Sequence, residues 1–292
     1  MKTRSGRAPG VSERVILRSF ALAGLVALAA GTAASTPAVA AAQRLVSLTP
    51  VTTEDLFALG VGDRVVGVSA YSDYPPAARR LPVVGSYFAV ATERILALHP
   101  DLVLGIAAQR AATADLRRAG VRVVLLADDS YAGIFTGIET IGRLTGESAR
   151  ARALVARLRA RTARLVGGVP RRARAPRVFV VLDTAPIFTV GRGSYIATLI
   201  GLAGGRDAAG ELATPYARYS AEALVADQPD ALIVDGAVGL NAVLNQPPWS
   251  ALRAVRAHRV YTLPDTALLE RPGPRYNEGL AWLIATIGRI PT

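Results

Sequence analysis

The chain contains no cysteine, only two histidines and a single methionine among its 292 residues. Without cysteine it has no disulfide, no thiolate nucleophile and no N-terminal Cys to carry a lipid, so the expectation is a periplasmic protein that is not a lipoprotein. His99 and His258 each fall at a tight turn just before or at the start of a strand. Zinc and manganese sites draw on several His, or on clusters of Cys and carboxylates, and no metal site is expected from so thin a supply. Neither His sits beside a nucleophile-elbow motif, so a Ser-His-Asp arrangement has no base, and the chain is not read as an enzyme. Past residue 40 there is also no apolar run of membrane-spanning length.

Acid is scarcer than base. There are 22 acidic and 34 basic side chains, for a formal net charge of +12. Lys2, Arg4, Arg7, Arg14 and Arg18, against Glu13, lie in the first forty residues, which leaves about +8 on the rest. Much of that remainder is Arg in the middle of the chain, with no stacked-aromatic RNA signature or zinc finger beside it, and no nucleic-acid partner is expected. The first forty residues themselves read as an export signal. They have a basic start, an apolar stretch from Phe20 to Ala30, and Ala38-Val39-Ala40 as a small-residue cleavage site.

What is present is a repeat. Glu93-Arg94-Ile95-Leu96-Ala97-Leu98-His99-Pro100-Asp101-Leu102-Val103-Leu104 reappears as Glu222-Ala223-Leu224-Val225-Ala226-Asp227-Gln228-Pro229-Asp230-Ala231-Leu232-Ile233, with Glu, Pro and Asp in register. Each copy predicts a short helix ended by Pro, a turn, and an apolar run suited to a buried parallel strand. Two copies predict two similar α/β lobes. Glu93 and Glu222 open their helices, where a carboxylate complements the macrodipole and contributes about 0.3–1 kcal/mol.

Around the repeat, strand and helix signals alternate. Leu45-Val46-Ser47-Leu48 is a strand, Thr52 or Thr53 caps a helix holding Leu56, Phe57 and Leu59, and Val65-Val66-Gly67-Val68 resumes the sheet. Tyr71-Ser72-Asp73-Tyr74-Pro75-Pro76 and the Tyr87-Phe88 pair are aromatic loops at strand C-terminal ends, where open α/β sheets place ligands. Asp129 or Ser130 caps a helix running towards Leu144. After Gly146, Leu154, Val155, Leu158, Leu165 and Val166 fall at helical spacing opposite an Arg-rich face, giving one long helix between lobes. The second lobe opens with Val178-Phe179-Val180-Val181-Leu182. Pro186 to Ser194 reads as a Gly-bounded loop that lacks the full dinucleotide or P-loop fingerprint.

Arg44 to Pro50, the Tyr71 to Pro76 loop, both Glu-Pro-Asp copies, Phe188-Thr189-Val190-Gly191 and Glu270-Arg271-Pro272-Gly273-Pro274-Arg275 together resemble the periplasmic binding proteins of cobalamin, ferric-siderophore and haem ABC importers. The likeness covers nearly all of the chain after the signal and is strongest to the cobalamin-binding branch. It implies an α/β protein of two Rossmann-like lobes, residues 41–146 and 169–292, joined by a single long α-helix over 147–168, with the ligand cleft between the lobes. It implies cobalamin as transported ligand, with a ferric siderophore or haem as the alternative, and no intrinsic cofactor. Tyr71, Tyr87 and Phe88 would line the first lobe's side of the cleft, and Phe188 and Arg271 the other. Glu93 and Glu222 would dock a monomeric receptor onto Arg residues of the membrane permease, which works with a cytoplasmic ATPase. Two positions depart from the cobalamin-binding pattern: Tyr87-Phe88 stands where that branch has Trp, and Ala267-Leu268 where it has an acid and Trp.

Overall fold

A computed structural model describes residues 41–127 and 130–291. The expected export signal over residues 1–40 lies outside them, as does Asp129. Among the described residues no helix is long and apolar enough to cross a membrane.

The first half of the chain runs β1 (Leu45–Ser47), α1 (Pro50–Ala58), β2 (Val65–Val68), α2 (Thr92–Ala97), β3 (Leu102–Ile106), α3 (Ala114–Arg118), β4 (Val123–Leu126) and α4 (Tyr131–Thr145). Its four strands pair in parallel in the order β2-β1-β3-β4. Every residue of β1 and of β3 is buried, as expected of parallel strands covered on both faces. The cap of α1 differs from the sequence expectation. Thr49, in extended backbone, accepts the Thr52 N–H, and Pro50 takes the first helical position, where its missing donor costs nothing. Thr52 and Thr53 instead lie inside the helix, buried, and Thr53 Oγ1 bonds Ser47 Oγ at 2.7 Å.

Ser130 caps α4 by accepting the Gly133 N–H, and Gly146, at φ +80°, ends it. The next helix, α5 (Ser148–Gly167), is 20 residues long, about 30 Å of rise. Ala151, Leu154, Val155 and Leu158 form its buried face.

The second half runs β5 (Arg177–Val181), β6 (Asp183–Thr184), β7 (Ile187–Val190), α6 (Tyr195–Leu202), β8 (Arg206–Asp207), β9 (Tyr216–Arg218), α7 (Ala221–Asp227), β10 (Ala231–Val234), α8 (Arg253–Arg256), β11 (Val260–Thr262), α9 (Ala267–Glu270) and α10 (Tyr276–Gly288). A second parallel sheet has the order β11-β10-β5-β8. A small antiparallel sheet, β6-β7-β9, lies beside it. The segment read from sequence as a Gly-bounded loop contains β7, where Ile187, Thr189 and Val190 are buried and Phe188 is half-buried, and the flanking Pro186 and Gly191 obscured it.

The repeat folds as a repeat. The helices α2 and α7 stop the same way, with the residue before Pro in left-handed backbone: His99 at φ +46° and Gln228 at φ +45°. Proline disfavours right-handed helical backbone in its predecessor, so the stop begins one residue before the proline itself. Each following Asp then ties down the lobe's first strand. Asp101 accepts the N–H groups of Gln43 and Arg44 at 2.8 and 3.1 Å, and Asp230 accepts the Arg177 N–H at 2.7 Å.

One apolar cluster passes through both sheets. It includes Leu45 and Leu104, Ile138 of α4, Leu154 and Leu158 of α5, Val180 and Ile233, and Tyr276 and Leu283 of α10. A buried polar knot fastens α10 to α5: Thr162 Oγ1 lies 2.5 Å from Tyr276 Oη, and Asn277 Nδ2 donates to the Leu158 carbonyl at 3.0 Å.

Candidate functional site

Three loops after the parallel strands β1, β2 and β3 build the first side of the site. After β2 the chain bends through Tyr71, whose φ of +66° is a left-handed conformation that non-glycine residues adopt rarely. The bend is held by hydroxyls, with Ser69 Oγ 3.0 Å from Ser72 Oγ and Thr53 Oγ1 donating to Ser72 Oγ at 3.1 Å. Tyr71 is left 81% exposed, beside a cavity of about 170 Å³.

Next to it, Ala70 N–H donates to the Gly85 carbonyl at 2.7 Å, which fastens a narrow turn from Gly85 to Val90 alongside the first loop. Gly85 is required there, because its φ is +142° and a Cβ would stand 2.3 Å from the Ala89 carbonyl. Tyr87 and Phe88 form the tip of that turn. Their rings pack edge-on at 4.7 Å, and Phe88 is 86% exposed. The turn is anchored from below by Gln109, which is buried after β3. Its Nε2 donates to the carbonyls of Tyr87 and Leu48, both at 3.1 Å, and its Oε1 accepts the Ile106 N–H.

Tyr71, Tyr87 and Phe88 are thus brought to neighbouring segments of one edge. Phe188 is elsewhere: it is half-buried on β7, with Asp183 and Arg218 as its strand partners.

Arg271, expected on the second half's side, reaches across to the first. Its Nη1 pairs with Glu54 at 3.1 Å and Asp73 at 2.7 Å, and its Nη2 donates to the Tyr71 carbonyl at 3.1 Å. Only 16% of its side chain is exposed. Burial raises the Glu54 carboxyl above the usual range, against the lowering effect of Arg271. At Asp73, burial also pushes upward, but the hydrogen bond and charge of Arg271 outweigh it and the carboxyl is held low. Asp55, next to Glu54 and fully buried, is raised well above the usual range by burial and then by the Glu54 charge. The segment after α9 therefore touches the first half through one guanidinium shared by two carboxylates and a backbone carbonyl.

Glu93 and Glu222 lie on α2 and α7, both exposed in the first turn. The cap of α7 is supplied by Ser220, which accepts the Ala223 N–H at 3.0 Å. Among the described residues no group of three or more His, Cys, Asp or Glu is placed to hold a metal ion.

Sequence reasoning missed Gln109, Glu54 and Asp73 as parts of the site. Gln109 carried a signal: Gly105 in a strand marks a close approach, and a Cβ there would meet the Gln109 Oε1 at 2.7 Å. Glu54 carried none, because its partner is 217 residues away.

A family model for periplasmic binding proteins matches residues 45–267. The uncharacterized ABC transporter substrate-binding lipoprotein YvrC of Bacillus subtilis is 31% identical over 253 residues, covering 84% of this chain and 80% of that protein. Among solved structures, the periplasmic vitamin B12-binding protein BtuF of Vibrio cholerae superposes with a TM-score of 0.75 at 27% identity, covering 85% of this chain and 97% of that one. The periplasmic heme-binding protein RhuT of Roseiflexus sp. RS-1 gives 0.76 at 30% identity, over 84% and 97%. These likenesses carry the fold of two α/β lobes joined by a helix.

One expectation is overturned. The chain was expected not to be a lipoprotein, and the relative that spans 84% of it is one. The cysteine count behind that expectation speaks only of the residues present, and membership of this group does not imply a freely diffusing protein. The chain belongs to the periplasmic binding protein family, the substrate-binding proteins of ABC importers, and is not an enzyme.

Proposed function

We propose that this chain captures cobalamin between its two lobes and delivers it to the permease of an ABC importer. The observation that carries the reading is the exposed aromatic edge of Tyr71, Tyr87 and Phe88, backed by rigid hydrogen-bonded turns. A corrin presents broad apolar faces to such a surface, and aromatic rings held in place lose little entropy on contact. The likeness to a vitamin B12-binding protein supports the choice of ligand.

In this reading residues 41–146 and 169–292 are the lobes, 147–168 the joining helix, and residues 1–40 an export signal. Phe188 faces the ligand from the second lobe. Arg271 closes the edge of the cleft, and the polar rim of the ligand competes with Asp73 for its guanidinium. Glu93 and Glu222, one per lobe, are the knobs that meet cationic side chains of the permease. The receptor acts as a monomer with no intrinsic cofactor.

Haem or a ferric siderophore is the second reading, favoured by the 81% exposure of Tyr71, whose phenol is available as an iron ligand. Calorimetric titration with cyanocobalamin, then with haemin, separates the two. Tight one-to-one cobalamin binding is expected. Saturable haemin binding with no heat from cobalamin would transfer the site to iron.

A further inference from the structure

A second recess lies beside the Arg271 contact, bounded by α1, the Tyr74-Pro75 turn, α5 and the Pro274-Arg275 segment, with a volume of about 520 Å³. That is within the range of small-molecule sites. Its walls are of two kinds. Phe57, Pro75, Leu154 and Leu158 give an apolar floor, while Arg157, Arg161 and Arg164 project from one face of α5, at spacings of four and three residues, and Arg275 faces them.

The charge of the three α5 arginines in this recess is uncompensated. Arg157, Arg161 and Arg164 are exposed and have no ion-pair partner among the described residues. The single acid in the lining, Glu54, is buried and already paired with Arg271 at 3.1 Å. Arg275 is 17% exposed in its side chain, pairs through Nη2 with Asp265 at 3.3 Å and Glu278 at 3.4 Å, stacks on the Tyr74 ring at 4.0 Å, and keeps a buried Nε without an acceptor. Three like charges on successive helical turns repel one another unless an anion comes between them.

We propose that this recess is a second ligand site, which takes a small organic polyanion: an apolar body carrying two or more carboxylate or phosphate groups. Guanidinium forks suit both groups bidentately, and the floor of Phe57 and Leu158 selects for an apolar body over a bare inorganic anion. The site is separate from the aromatic edge and does not depend on which ligand that edge takes. Because α1 belongs to the first half and Pro274-Arg275 to the second, an occupant touches both and ties their relative positions to its own binding.

The probe is benzene-1,3,5-tricarboxylate, titrated calorimetrically at low ionic strength into the intact protein, with pyrophosphate alongside. Saturable one-to-one binding of the tricarboxylate, tighter than that of pyrophosphate, is expected. The triple variant Arg157→Gln/Arg161→Gln/Arg164→Gln weakens it by about tenfold or more, and Ala58→Trp, which fills the recess without changing charge, does the same. The triple variant Arg143→Gln/Arg152→Gln/Arg171→Gln removes equal charge from exposed positions outside the recess and retains wild-type affinity. No saturable binding, equal weakening in both triple variants, unchanged affinity in Ala58→Trp, or pyrophosphate binding as tightly as the tricarboxylate would each overturn the proposal.

Discussion

Asp101 and Asp230 show how a single carboxylate locates a lobe. Each follows a left-handed residue and a proline, and each accepts backbone N–H groups at the entrance to the lobe's first strand. Removing the acceptor strands those donors at the start of an interior strand of each sheet. Asp101→Ala and Asp230→Ala are each expected to lower unfolding free energy by about 1–3 kcal/mol in urea denaturation. Glu93→Ala and Glu222→Ala, at exposed positions of the same repeat, stay within about 0.5 kcal/mol. Equal effects at all four would mean that the repeat's acids are interchangeable. The pattern of Glu, Pro and Asp was legible in the sequence because it occurs twice; the task of the Asp was not, since its partners lie 53 to 58 residues away. Arg271 was expected from the sequence to line the second lobe's side of a cleft, and its role as a bridge to the first half was not legible. Its carboxylate partners, Glu54 and Asp73, are 217 and 198 residues distant. No local period encodes such pairings.

Among the elements, those with strong local chemistry were readable: β3 from its apolar run, α4 from Ser130 and Gly146, and α5 from helical spacing opposite its arginines. The start of α1 was misplaced because three threonines compete for the cap. Proline at the first helical position decides it in favour of Thr49. The strand β7 was hidden by its bounding proline and glycines, and it forms because β6 and β9 flank it, a tertiary condition. The short helices α2 and α7 carry the docking proposal. Ser220, not Glu222, supplies the side-chain cap of α7, which leaves the carboxylate free for a partner. The double variant Glu93→Lys/Glu222→Lys is expected to abolish uptake by the cognate permease while calorimetric ligand affinity and melting temperature hold. A fall in melting temperature that accounts for the lost uptake would return both residues to helix stabilisation.

At the scale of the molecule, the two parallel sheets share one apolar cluster through α4, α5 and α10, locked by the Thr162–Tyr276 and Asn277–Leu158 bonds. Lobes joined by a common core unfold together. Scanning calorimetry is expected to show one transition with equal calorimetric and van't Hoff enthalpies, whereas two resolved transitions would show that the lobes are independently stable. Under the proposed function, a core shared by both lobes favours ligand affinity that rests on surfaces already in place rather than on large closure. In the proposed function those surfaces are the rings of Tyr71 and Phe88, which are exposed. The most direct test is the dissociation constant of cyanocobalamin for the wild type and for Tyr71→Ala/Phe88→Ala. Loss of two aromatic contacts predicts affinity weaker by about tenfold or more with an unchanged melting temperature; equal affinity in the two proteins would contradict the assignment of this edge as the ligand surface.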